Sequence, residues 1–297
     1  MITGIVLALV QAMTWSSTTI LLRTLSTRLD PFLVNGLRAA VGMLVIIPLV
    51  FITGGLPDYQ RLTGLSLLFL TASVILGGVV GDALYITSLK TLGVSRAFPI
   101  TNSYPIFTVV FSVLLLGEQI KATTLAGMAL VLVGVYLVAR PRGRVQTAPL
   151  DAIAPQQLLR GVIVALITSA LWGLSSTLVA LGLRGVNSIV ANSVRVPVVV
   201  LLSLAVAARR GQLGAGRRIE RGMLRCLLLS GLLGWGISGS LYVTAVQLAG
   251  PSKTAIVGCT APLFAVPLSM IFLHERPSRH VAAGTALSVL GVVLVIV

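Results

Sequence analysis

Charged residues are scarce in this chain of 297 residues, since Asp, Glu, Lys and Arg make up only 10% of it. Soluble domains carry about 25%. Apolar residues account for 56%, more than a water-soluble protein of this size can bury. Several segments of about 20 residues contain almost no charge, which is enough to cross roughly 30 Å of hydrocarbon at about 1.5 Å per residue. The composition predicts a polytopic helical membrane protein.

Residues for metal, redox and nucleotide chemistry are also few. The two cysteines, Cys226 and Cys259, give no disulfide framework. The two histidines, His274 and His280, flank one loop and are too few to predict a metal site. No Walker motif is present to bind ATP. We therefore predict no metal, no cofactor and no enzymatic activity.

Acidic residues number 7 against 22 basic ones, which gives a net charge of +15. The excess does not indicate nucleic-acid binding, because the basic residues lie in short loops between apolar segments and no basic surface carries aromatic residues for base stacking. Lysine and arginine in short loops are typical of the cytoplasmic side of membrane proteins.

The chain contains one stretch twice. Residues 81–118 align with 238–275 at a shift of 157 positions without a gap. The register extends over the whole chain and pairs Trp15 with Trp172, Asn35 with Asn192, Arg38 with Arg195, Tyr85 with Tyr242, Gly127 with Gly284 and Gly134 with Gly291. This indicates duplication and fusion, with a first repeat over 1–139, a polar linker over 140–159 and a second repeat over 160–297.

Apolar periodicity predicts ten spans. They fall near 3–24, 31–53, 65–89, 95–117, 123–139, 160–183, 187–208, 222–247, 252–273 and 280–297. Because five helices per half is an odd number, the second half enters the membrane from the opposite side. Sixteen of the 22 basic residues lie in loops after odd-numbered helices and four in loops after even-numbered ones. We expect an all-α polytopic membrane protein of ten transmembrane helices in two inverted five-helix repeats, in the inner or plasma membrane, with both termini outside.

Short motifs recur in the two halves at these positions. Ala12 and Trp15 correspond to Ser169 and Trp172, and each half has a Tyr-x-x-(Ser/Ala)-(Leu/Val) run before a proline-containing helix that ends in Leu-x-Glu. In these features the whole chain resembles the EamA-like branch of the drug/metabolite transporter superfamily. The resemblance implies a secondary transporter, commonly an exporter of amino acids, metabolites or drugs. It also implies a cavity between helices 1, 3, 4, 6, 8 and 9, with helices 5 and 10 at the seam between the halves.

Two other functions stay open. Distant relatives include antiporters of phosphorylated or sugar-linked anions, which need cationic side chains in the cavity. A non-transporting membrane sensor or lipid-handling protein is the other alternative. In each case we expect a monomer in contact with membrane lipids, and protons are a candidate coupling ion for a transporter.

Ionisable residues inside apolar segments are candidates for function, because they are costly in hydrocarbon. Asp82 is the only acid well inside a span, and it is interpreted either as a proton or cation site or as an ion-pair partner of Arg38. Arg195 has three candidate partners: Glu118, the membrane interface or an anionic substrate group. Ion pairs or gates are predicted between Glu118 and Arg195 and between Glu275 and Arg38.

Prolines and mid-span aromatic residues complete the predicted site. Pro105 and Pro262 are repeat mates that are expected to kink helices 4 and 9 and to act as hinges. Tryptophan in the middle of a span favours a central contact over an interfacial belt. The predicted substrate cavity consists of Trp15, Asp82, Tyr85, Asn102, Tyr104, Trp172, Trp235, Tyr242 and Cys259.

Overall fold

The computed structural model describes residues 1–139, 155–216, 219–261, 263–264 and 279–296. Within those ranges all regular structure is helical. The main helices are α1 (Ile2–Ser26), α2 (Pro31–Ile52), α3 (Gly64–Leu92), α4 (Val94–Thr101 and Tyr104–Leu116), α5 (Ala122–Ala139), α6 (Pro155–Gly182), α7 (Ser188–Arg209), α8 (Arg221–Ala249), α9 (Pro251–Gly258) and α10 (Arg279–Ile296).

Seven of these helices are long and apolar enough to cross a membrane: α1, α2, α3, α4, α6, α7 and α8. Shorter apolar segments, Ala122–Leu137 and Ala283–Ile296, lie in α5 and α10. The prediction of an all-helical polytopic membrane protein is confirmed. The count of ten spans stays a prediction, because Pro262 and residues 265–273 of the expected ninth span, together with the nearby Glu275, lie outside the described residues.

Helix boundaries follow local chemistry that both halves share. The Asp30 carboxylate accepts hydrogen bonds from the backbone N–H groups of Phe32 and Leu33 at the start of α2. Its repeat mate Asn187 accepts from the N–H of Ile189 at the start of α7. Such caps satisfy backbone donors that a helix start leaves unpaired. The same local device therefore starts the second helix of each half.

Each half contains a π-helical segment at the same repeat position. Val74–Gly81 lies inside α3, and Gly231–Ser238 lies inside α8. Both are rich in glycine, and the sequence predicts close helix packing there, which the structure confirms. A Cβ built on Gly77 would lie 2.3 Å from Ser175 Oγ, and one built on Gly234 would lie 2.6 Å from Arg38 Nη2. Single-turn π segments in α-helices occur frequently at functional sites.

The two halves interlock rather than pack side by side. Helix α1 packs against α8 and α9 of the second half, and α6 packs against α3 and α4 of the first half. Helices α2 and α7 contact each other, and each also packs on the π segment of the opposite half. The centre of the molecule is therefore enclosed by helices from both halves.

Helices α5 and α10 form a separate, extensive contact. A Cβ on Gly127 would lie 2.6 Å from the Gly291 carbonyl oxygen, and a Cβ on Gly134 would lie 2.4 Å from the Gly284 carbonyl oxygen. Ser288 Oγ donates to the carbonyl of its repeat mate Val131 at 3.5 Å. Small residues allow helix backbones to approach this closely in a membrane.

Candidate functional site

A cavity opens where helices of the two halves meet. It encloses about 880 Å³ of space free of atoms, including space open to solvent. Seven of the nine predicted cavity residues line it: Trp15, Asp82, Asn102, Tyr104, Trp172, Trp235 and Tyr242.

Aromatic rings from both halves meet in the wall of the cavity. Trp15 and its repeat mate Trp172 contact each other edge to face, with ring centroids 6.0 Å apart. Trp172 also contacts Tyr85 at 5.0 Å and Tyr104 at 6.1 Å. Aromatic pairs prefer such tilted and edge-to-face arrangements. Trp172 is thus held by three other rings and presents an ordered apolar surface.

The carboxylate of Asp82 is oriented by Trp172. The indole N–H of Trp172 donates to Asp82 Oδ1 at 3.0 Å, and Asp82 is only 7% exposed. The predicted ion pair with Arg38 is not formed as a direct contact, because the described residues contain no Arg38–Asp82 approach within 4.0 Å. The two groups still attract each other at longer range, and Arg38 is the stronger of the two basic groups acting on Asp82.

Arg38 is fully buried behind the cavity wall. Its Nε donates to Ser230 Oγ at 3.1 Å and its Nη2 to the Ser230 carbonyl at 3.2 Å. Its Nη1 has no partner in the described part of the chain. The predicted partner Glu275 lies outside the described residues.

Arg195 lies in the cavity wall itself. Its Nε donates to Ser73 Oγ at 3.2 Å, and its Nη1 donates to Asn192 Oδ1 at 3.4 Å. Ser73 is the repeat mate of Ser230, so the two arginines use equivalent serines. The predicted contact with Glu118 is wrong, because the Glu118 carboxylate instead accepts a 2.6 Å hydrogen bond from Ser252 Oγ in the first turn of α9.

Two predicted cavity residues lie behind the wall. Tyr85 is 0% exposed; its hydroxyl donates to Thr19 Oγ1 at 3.4 Å, and its ring supports Trp15 and Trp172. Cys259 is also fully buried, and its thiol donates to the Ile256 carbonyl. The mate of Tyr85, Tyr242, reaches the cavity and donates to Ser176 Oγ at 2.6 Å.

The break in α4 differs from the expected proline kink. The first segment of α4 ends at Thr101, and Pro105 lies in the first turn of the next segment, Tyr104–Leu116. The missing proline N–H costs nothing there, because a helix start leaves that position unpaired. Asn102 lies in the break, where its Nδ2 donates to the Phe98 carbonyl. Its side chain lines the cavity.

Several cavity residues were not predicted from the sequence. Gln11 is one: its Nε2 donates to Ser238 Oγ at 3.2 Å, while its Oε1 has no partner among the described residues. Gln11 lies four residues before Trp15, so helical spacing places it on the same face of α1. The other lining residues absent from the predicted cavity are Ser175, Asn192, Arg195, Ser238 and the glycines Gly77, Gly78, Gly234, Gly239 and Gly258.

The architecture is that of an all-helical membrane protein whose duplicated halves enclose a central, partly aromatic cavity, and this is the architecture of a transporter. A model of the EamA-like transporter family matches residues 2–140 and again residues 159–297. The chain belongs to the EamA-like transporter family, within the drug/metabolite transporter superfamily.

Relatives resemble the chain over most of its length. An uncharacterized transporter of Archaeoglobus fulgidus is 27% identical over 98% of this chain and 97% of its own. An uncharacterized transporter of Clostridium kluyveri is 22% identical over 90% of this chain and 83% of its own. A crystal structure with 18% sequence identity superposes with a TM-score of 0.76, covering 98% of this chain and 95% of that one, which supports the fold.

Proposed function

We propose that the protein is a secondary active transporter that exports a small organic molecule by alternating access. The observation that carries this proposal is the cavity, which is lined from both halves of the chain and has the repeat mates Trp15 and Trp172 in contact at its wall. A site at the interface of two structural repeats is typical of secondary transporters.

The proposal includes two inverted repeats of five membrane helices each. In such a protein the two halves exchange conformations, and the cavity opens alternately to the two sides of the membrane. The reciprocal contacts of α5 with α10 support a two-fold relation between the halves. The π segments and the break in α4 are places where the helical hydrogen-bond pattern is already interrupted beside the cavity.

Export is the direction implied by the resemblance to this family, and coupling to protons stays a prediction from the sequence. A sensor or a lipid-handling protein would not need a central cavity that both sides of the membrane reach. The side from which the cavity is accessible therefore separates transport from those alternatives.

The experiment uses one cysteine in the cavity. In a chain with Cys226→Ser and Cys259→Ser, Gly239→Cys adds a thiol where a Cβ meets only atoms at 3.5 and 3.8 Å. We expect a membrane-impermeant thiol reagent to label this variant in both right-side-out and inside-out vesicles. Ser203→Cys, at a fully buried position on α7, is the control that neither preparation labels. Labelling of Gly239→Cys from one side only would contradict alternating access.

A further inference from the structure

Three residues of the charged types are buried in the described structure: Arg38, Asp82 and Arg195. The other described acids, Asp30, Asp58, Glu118 and Glu220, lie at helix ends or in connections between helices. Two cations and one anion leave this region with a net charge of +1 when all three are ionised. Burying an uncompensated charge costs several kcal/mol even after local relaxation.

The imbalance comes from the duplication. Both halves keep the arginine of their second helix, as Arg38 and Arg195. Only the first half keeps an acid in its third helix, because the mate of Asp82 is Gly239. Among the buried charged groups, the first half thus has a cation and an acid, and the second half has a cation only.

The cation of the half that lacks a buried acid is the one that faces the cavity. Arg195 lines the cavity, whereas Arg38 does not. The partners of Arg195 Nε and Nη1 are the neutral Ser73 and Asn192. In the described ranges its Nη2 makes no hydrogen bond. A guanidinium with a free terminal nitrogen in a cavity wall is suited to a carboxylate, because charge-assisted hydrogen bonds of this kind are short and strong.

The remainder of the wall is mainly apolar and aromatic. All three tryptophans of the chain, Trp15, Trp172 and Trp235, line the cavity. The indole N–H groups of Trp172 and Trp235 are occupied by Asp82 and Asn35. The Trp15 N–H has no acceptor in the part of the chain that the structure describes, so it is a second donor available to a bound molecule.

We propose that the cavity binds an organic monoanion, with its carboxylate on Arg195 and its apolar or aromatic body on the tryptophan rings. The inference rests on the proposed function and names the substrate class of the same site. A monoanion neutralises the central charge, whereas a cation would add to it. A dianion such as a phosphate ester would exceed it, because the three buried groups together carry a net charge of +1.

Four probes that share a phenyl group separate these possibilities: 3-phenylpropanoate, phenylalanine, 2-phenylethylamine and phenyl phosphate. Binding to the purified full chain is followed by quenching of tryptophan fluorescence, since every tryptophan lines the cavity. We expect 3-phenylpropanoate to bind most tightly, phenylalanine more weakly and 2-phenylethylamine not measurably. Arg195→Gln should weaken 3-phenylpropanoate binding by about tenfold or more, the usual effect of losing a charged hydrogen bond.

Two control variants accompany this test. Arg209→Gln makes the same substitution at the exposed end of the same helix and should leave the affinity unchanged. Arg195→Lys keeps the charge and should retain the preference for the carboxylate, which guards against a folding defect in Arg195→Gln.

Tighter binding of 2-phenylethylamine or of phenyl phosphate would overturn the proposal in favour of a cation or a phosphate ester. Equal affinity of Arg195→Gln and wild type for 3-phenylpropanoate would overturn it as well. So would the absence of quenching by all four probes, if the same protein preparation unfolds cooperatively and is therefore folded. The cysteine-labelling experiment does not use these ligands. Failure of the substrate class is therefore distinguishable from failure of alternating access.

Discussion

The two halves of the chain share a backbone frame but differ in the side chains that reach the cavity. Both halves have the same helix cap, the same π segment and the same serine partner for the central arginine. The differences are concentrated in the third and fourth helices, where Asp82, Asn102 and Tyr104 correspond to Gly239, Cys259 and Ala261. The two halves are alike in the helix features that alternating access would use. They differ in side chains of the third and fourth helices, where a ligand would be recognised.

Arg38 and Arg195 show this difference most clearly. Equivalent serines accept from their Nε atoms at 3.1 and 3.2 Å. Arg38 is nevertheless buried behind the cavity wall, whereas Arg195 forms part of the wall. Two arginines that share the same Nε–serine contact therefore have different access to a ligand, because the residues around them differ.

The largest effect is expected from disrupting the contact between α5 and α10, which is one of the contacts between the two halves. In Gly134→Ala the new Cβ would lie 2.4 Å from the Gly284 carbonyl oxygen and 2.3 Å from Ser288 Oγ. Backbone cannot move away cheaply, so we expect the free energy of unfolding to fall by about 3 kcal/mol or more. Denaturant unfolding in detergent measures this loss. Gly64→Ala is the control, because nothing lies within 4 Å of its added Cβ. Equal stability of the two variants would count against a close α5–α10 contact.

A smaller effect is expected when the two central tryptophans are compared by the stability of their phenylalanine variants. Trp172→Phe removes the donor to the Asp82 carboxylate, whereas Trp15→Phe removes a donor that has no acceptor in the described structure. Both variants replace an indole by a smaller ring at equivalent repeat positions. The difference between their free energies of unfolding therefore reports the hydrogen bond from Trp172 to a charged group, about 1.5–3 kcal/mol. Thermal and denaturant unfolding of both variants check this value. If Trp15→Phe proved the more damaging, the assigned role of Trp172 would be wrong.

The third prediction removes the asymmetry. Gly239→Asp places an acid at the position equivalent to Asp82, where a Cβ meets no atom closer than 3.5 Å. The new carboxylate would give the second half an acid in its third helix and would offset the charge of Arg195. We expect the affinity for 3-phenylpropanoate to fall by about tenfold, or about 1.4 kcal/mol. Gly239→Asn is the matched neutral control and should bind the probe more tightly than Gly239→Asp. No difference between the two would indicate that the charge at position 239 does not act on the ligand.

Composition and repetition predicted the class of fold and seven of the residues that line the cavity. Scarce charge indicates membrane helices whatever their arrangement, and the 157-residue register brings Trp15 and Trp172 to equivalent positions. Mid-span tryptophan and polar residues beside a helix break are costly in lipid, so they point to a central cavity before any coordinates exist.

The π segments and the ion pairs could not be predicted in the same way. Hydrophobic periodicity does not distinguish an α-helical hydrogen-bond register from a π register in a run such as Val74–Gly81, where every residue is apolar or glycine. The interpretation of Asp82 as an ion-pair partner of Arg38 took no account of the direction of each side chain around its helix. Trp172 and Ser230, which come from other helices, occupy the positions where a direct ion pair was expected.

The seam of α5 and α10 has a consequence for how the two repeats can differ. Gly127 faces Gly291, the mate of Gly134, and Gly134 faces Gly284, the mate of Gly127. A contact in which each surface meets a copy of itself is the isologous interface of a homodimer. The seam therefore has the symmetry of an interface between two copies of one repeat. Because the two copies lie in one chain, each can differ from the other, as Asp82 and Gly239 do.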